Sequence, residues 1–161
     1  MRLYKQYVLP HLEFSSVAWS PWTVADRDIL EKVQIRAVKM VTGLKGTTYE
    51  ERLAELGLFG LEERHHQTDM IQVYKIVHGH DNVDSNQWFR HVSGELHRTR
   101  ATTDSLNLAQ SRSRLDLRRN FFSQRVVDHW NRVPPLLKRA RNIACFKRDY
   151  RKFRRNMVLD V

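Results

Sequence analysis

Cysteine occurs once in the 161 residues, at Cys145, which excludes an internal disulfide and leaves a multi-cysteine zinc site without ligands. No window approaches an uninterrupted apolar run of about 18 residues, the length a membrane-spanning helix needs. Arg2, Lys5 and Pro10 also break any signal-like apolar core near the start. No glycine-rich phosphate loop of the Walker type and no Gly-x-Ser-x-Gly elbow is present, so the common phosphate-cradling and serine-hydrolase arrangements have no footing. These absences describe a soluble, intracellular chain, in the nucleus or the cytoplasm, with no membrane partner.

What is present is charge of one sign. The chain is 41% hydrophobic and 29% charged, which suits one globular domain or two small lobes, and its formal net charge is +10. That excess is unevenly placed: residues 1–90 hold 11 basic and 12 acidic side chains, residues 91–161 hold 17 and 6, and 14 of those 17 are arginine. Arginine's planar fork pairs two ways with phosphate oxygens and stacks on flat rings, so the bias points to a polyanionic partner. A solvated basic face without a ligand is the alternative.

The apolar spacing is mostly helical. Leu3, Tyr7, Val8, Leu12 and Val17 predict two short helical pieces divided near Pro10. After the turn signal Ser20-Pro21-Trp22-Thr23, the stripe Ile29, Val33, Ala37, Met40 and Val41 predicts an amphipathic helix closed near Gly43. Thr48 and Glu51 have the spacing of a capping box ahead of a short helix closed by Gly57. A longer helix is expected from Leu61 to Val77. The polar stretch Ser93 to Ser113 reads as an exposed connection, or a hairpin through Leu106 and Leu108. Phe121, Phe122, Val126, Val127 and Trp130 predict a helix ended by Pro134-Pro135. Asn142 then caps a last helix in which Ile143, Phe146, Tyr150 and Phe153 share one face. The expected fold is therefore mainly α: a compact helical lobe over residues 1–80, then a basic and partly irregular region over 81–161 with two C-terminal helices and, as an option, a small hairpin.

Candidates for catalysis are weak. Asp26, Asp28 and Glu31 sit at the start of a helix, where carboxylates offset the positive dipole end, and the pairs Glu50-Glu51 and Glu62-Glu63 have the same explanation. His65-His66 and His78-Gly79-His80 lack the spacing of a metal-ligand set, and Cys145 reads as a packed side chain. No cofactor is expected in this chain. The feature left is arginine and lysine interleaved with aromatics: Arg118, Arg119 and Arg125 among Phe121, Phe122 and Trp130, then Lys147, Arg148, Arg151, Lys152, Arg154 and Arg155 among Tyr150 and Phe153. Rings facing the core and cations facing a phosphate backbone is the arrangement expected; rings stacked on bases is the alternative, which requires exposed aromatics. Arg98, Arg100, Arg112 and Arg114 in the polar connection complete the candidate nucleic-acid contacts.

The order of several short blocks adds a family resemblance. Leu3-Tyr4-Lys5, Val8-Leu9-Pro10-His11-Leu12-Glu13-Phe14 and Trp19-Ser20-Pro21 come first. Leu30-Glu31-Lys32-Val33-Gln34, Thr48-Tyr49-Glu50-Glu51-Arg52-Leu53, Leu61-Glu62-Glu63-Arg64 and Asp69-Met70-Ile71-Gln72-Val73-Tyr74-Lys75-Ile76 follow. Arg36-Ala37 accompanies the second group, and Arg112-Ser113-Arg114-Leu115-Asp116-Leu117-Arg118, Phe122-Ser123-Gln124-Arg125-Val126-Val127 and Trp130-Asn131-Arg132-Val133-Pro134 come next, before Phe146-Lys147. In this order they resemble the region after the polymerase palm in jockey-like reverse transcriptases of non-LTR retrotransposons, over roughly the whole chain. The resemblance implies a thumb-like helical lobe and a basic tail that grip RNA or an RNA–DNA hybrid without regard to sequence, with the palm as a further partner. Magnesium belongs by the same resemblance to the palm carboxylates, whose aromatic-Ala-Asp-Asp block has no counterpart here. A helical protein-interaction module with no nucleic-acid role is the competing expectation.

Overall fold

A computed structural model describes residues 1–92 and 104–159. The fold is mainly α, with one two-stranded sheet among the described residues. Packing divides the chain into two units, Met1–Thr68 and Asp69–Val161, and the division falls inside a long helix.

The first unit begins with a π-helical turn, Tyr4–Val8, that runs into α1 (Leu9–Glu13), so the break expected at Pro10 falls just before it, where proline's missing N–H is harmless. Ser15 takes a left-handed conformation (φ 53°) and α2 (Ser16–Trp19) follows. The next helix, α3 (Val24–Lys39), starts at Thr23, whose hydroxyl oxygen accepts the Asp26 N–H at 3.2 Å. The capping box read from Thr48 and Glu51 is present at the start of α4 (Tyr49–Glu55). Gly57, at φ +58°, closes α4 with two reverse bonds, Leu58 N–H to Leu53 O at 2.8 Å and Gly57 N–H to Ala54 O at 3.1 Å. Helix α5 spans Leu61–Val77 as expected.

One expectation fails in α3. The stripe Ile29, Val33 and Met40 faces outward, with Ile29 60% and Met40 77% exposed. The inward face carries Gln34 and Val38, with Leu30 and Ala37 packed beside the core of Tyr4, Leu9, Val38, Leu58 and Leu61. A polar hub explains the choice. The Gln34 amide donates to the Tyr49 hydroxyl at 2.9 Å and to Phe59 O at 3.0 Å, while its oxygen accepts from the Tyr4 hydroxyl at 2.8 Å. Glu31 joins it, accepting from Tyr49 and from the Leu61 N–H at 2.9 Å, which satisfies one of the free donors at the start of α5. A fully bonded amide is tolerated inside, so a period that counts only apolar residues picks the wrong face.

The hub sets a pH limit. Burial and the nearby Glu31 charge push the Tyr4 hydroxyl up to about 12. Burial and its bond to Glu31 raise Tyr49 as well. Both phenols are held neutral in the fold, so their contribution is complete below the unfolded value near 10 and is lost as pH climbs from there through the raised folded values. Helical circular dichroism should decline over that alkaline range. In Tyr4→Phe the decline should shrink, while stability at neutral pH falls by about 1 kcal/mol from the lost bond to Gln34. An unchanged alkaline profile in that variant would contradict the assignment.

The second unit continues α5 from Asp69 and adds α6 (Ser85–Trp88) and β1 (Arg90–His91). It ends with β2 (Leu108–Ala109), α7 (Asp116–Arg119), α8 (Phe122–Asn131), α9 (Pro135–Lys138) and α10 (Ile143–Leu159). The strands pair antiparallel, Arg90 opposite Ala109 and His91 opposite Leu108, so the small hairpin exists and Leu108 belongs to it, while Leu106 lies in the turn before it. The end of α8 pins this strand. The Asn131 amide donates to Leu108 O and accepts from Leu108 N–H, both at 2.9 Å, as a neighbouring strand would, and Trp130 Nε1–H donates to Leu106 O at 2.7 Å. The core is aromatic: Tyr74 stacks on Phe146 at 4.4 Å, and Trp130 and Tyr150 are buried around them.

Candidate nucleic-acid interface

The two units differ in charge. Residues 1–68 hold nine basic and nine acidic side chains; residues 69–161 hold nineteen and nine, so the whole excess of +10 lies in the second unit. The boundary expected at residue 80 gives the same partition, because residues 69–80 add one basic and one acidic side chain, Lys75 and Asp69.

Helix α10 sorts its side chains by face. Asn142 accepts the Cys145 N–H at 2.8 Å, the cap expected there. Phe146 and Tyr150 are buried with ring centroids 5.5 Å apart, and half-buried Phe153 follows at 6.1 Å from Tyr150. Aromatics on that face thus serve the core, at roughly 1.5–3 kcal/mol for each fully buried ring, and are closed to bases. On the opposite face Lys147, Arg148, Arg151, Lys152 and Arg155 form an exposed row, with Ala144 at its N-terminal end. They recur as i, i+1, i+4, i+5 and i+8, so two turns of helix set the row, about 12 Å long at 1.5 Å per residue. Arg148 pairs with its neighbour Asp149, Nε to Oδ1 at 2.8 Å, and this bond holds the Asp149 carboxyl below the usual carboxylate range. Among the described residues no carboxylate pairs with Lys147, Arg151, Lys152 or Arg155. A row of unpaired, solvated cations is what counterion exchange with phosphates requires.

The other candidates scatter. Arg154 lies on the flank of α10, half-buried. Burial first, then the charges of Arg132 and Arg154, lower the His129 pKa. Arg112 and Arg114 are exposed in the irregular segment before α7. Arg118 sits over the Phe121 ring, and Arg119 pairs with Asp116 at 3.3 Å. Arg98 and Arg100 lie outside the described residues. Arg125 is a correction: its guanidinium grips Asp69 with two bonds of 2.9 Å, gives a third to Asn120 O at 3.2 Å, and covers Phe122. With both partners largely buried, it is an internal brace rather than a phosphate contact.

Two features escape the sequence reading. Lys138, one of the second unit's cations, is 1% exposed. Its ammonium donates to Asn107 Oδ1 at 2.6 Å and to Asn131 O at 3.3 Å, 3.7 Å from Asp104, and burial lowers its pKa. The signal was Pro134-Pro135, which starts a short helix there rather than a loop. The second is the pairing of Trp88 with Phe121 at the surface. His65 is spent locally, its Nε2 within 2.8 Å of Leu12 O and its ring edge-on to Trp19 at 5.4 Å.

Among the described residues no three carboxylate, imidazole or thiol groups gather as a metal site. None of their helices is long and apolar enough to cross a membrane. Compared with known proteins, the chain matches no family model, no curated protein and no solved structure.

Proposed function

We propose that the chain is the non-catalytic C-terminal portion of a retrotransposon RNA-directed DNA polymerase, acting in the nucleus or cytoplasm, and that its second unit holds RNA or an RNA–DNA hybrid by the phosphates. The observation that carries this is the exposed cationic row of α10, backed by rings turned into the core. A row of about 12 Å spans three to four phosphates at roughly 3.4 Å each along one strand, which makes it a backbone clamp without base readout. Polymerisation, with its magnesium, is assigned to a palm by the block resemblance and to no residue here.

Anisotropy titrations of the full chain with two hybrids of unrelated sequence test it. Affinities within about threefold are expected, because phosphate contacts do not read sequence. A preference of a hundredfold for one sequence, or no binding to either, would overturn it.

A second reading concerns the first unit. It is neutral overall and leaves Leu3, Tyr7, Phe14, Ile29 and Met40 exposed, a composition that favours a protein partner such as the palm over a polyanion.

A further inference from the structure

Phe122 is the first residue of α8 and Phe121 precedes it as the N-cap, in extended backbone (φ −65°, ψ 144°), so the two adjacent rings leave the chain in different directions. Phe122 is buried and Phe121 is 42% exposed. Phe121 is held in place by its neighbours. Trp88 lies nearly parallel to it, 9° between planes and 6.2 Å between centroids, and meets Phe122 edge-on at 6.1 Å. The Arg118 guanidinium sits 5.4 Å from the Phe121 centroid. Trp88 and Arg118 thus both neighbour the Phe121 ring, and Arg118 is exposed to solvent. From Arg112 to Arg119 the chain carries four arginines and one carboxylate, Asp116, which Arg119 neutralises.

We propose that this corner of the second unit binds an unpaired nucleotide of single-stranded RNA or DNA, its base stacking on Arg118 and Phe121 and its phosphates meeting Arg112 and Arg114. The chemistry differs from that of α10. There the rings are inside and only a backbone can be held; here planar groups are outside, and a base must leave its own stack to use them. The positive charge crowded around the rings selects a polyanion over an apolar protein surface. The proposal shares its partner class with the phosphate clamp and stands on separate residues, so the corner can fail or hold on its own.

The test uses the full chain and four labelled probes: a blunt RNA–DNA hybrid, the same hybrid with a short single-stranded extension, that extension made abasic, and the free single strand. An abasic extension keeps its phosphates and loses its rings. The natural extension should bind about tenfold tighter than the abasic one, as stacking on a protein ring is of this size, while the abasic form keeps the share owed to phosphates on Arg112 and Arg114. Arg118→Lys keeps the charge without the plane; it should forfeit the same gain and leave the blunt hybrid unchanged. Equal binding of the natural and abasic extensions, or a full gain in Arg118→Lys, would overturn the stacking corner. Binding of the free strand that depends on Arg118, without binding of the blunt hybrid, would uphold the corner and reject the α10 clamp.

Discussion

Asp69→Ala should destabilise the second unit by about 3–5 kcal/mol, the largest loss expected of any single substitution considered, because it strands the Arg125 guanidinium in a mostly buried place. Removing one partner of such a pair leaves a charge desolvated and unmatched, whereas removing both replaces it by apolar packing. Asp69→Leu with Arg125→Met should therefore recover most of the loss, and the two single changes should be strongly non-additive in urea unfolding followed by circular dichroism. The same pair separates internal from external cations. Arg125→Gln, assayed at a temperature where the variant is folded, should bind a hybrid as the parent does. A hybrid affinity that falls with Arg125→Gln, or an Asp69→Ala variant as stable as the parent, would contradict the internal brace.

The second large effect belongs to α10. Arg151→Ala, Lys152→Ala and Arg155→Ala together should weaken hybrid binding about 100- to 1,000-fold at roughly 50 mM salt, since each phosphate contact contributes about a decade of affinity there through released counterions. The fold should be indifferent, because the three side chains are exposed and alanine is the best helix former. Lysine in place of Arg151 and Arg155 should preserve most of the affinity, as a backbone clamp needs charge more than a fork. Equal weakening across unrelated hybrids is expected. A loss confined to one sequence would indicate base readout instead.

How much of this was legible in the residues follows from whether the determinant was local. The capping box at Thr48 and Glu51, the Asn142 cap and the aromatic face of α10 depend on neighbours within one or two turns, and each was readable. The cationic row was readable for the same reason, as the complement of that face. Gln34 was not, because four partners drawn from three distant segments and its own helix make an amide cheap to bury. Arg125 was not, since its carboxylate lies 56 residues away, and an arginine on a basic helix looks like its exposed neighbours until that partner is placed. Phe121 was not, because the residues that hold its exposed ring include Trp88, 33 positions away, and its own backbone leaves the helix that Phe122 begins.

The salt dependence of hybrid binding bears most directly on the phosphate clamp. Association constants of the full chain, plotted as log K against log salt, should fall on a line with a slope of about −3 or steeper, close to −0.9 for each phosphate engaged. The α10 triple variant should flatten that line by nearly 3. A slope near zero, or one that the triple variant leaves unchanged, would show that the cations of α10 face water and nothing else.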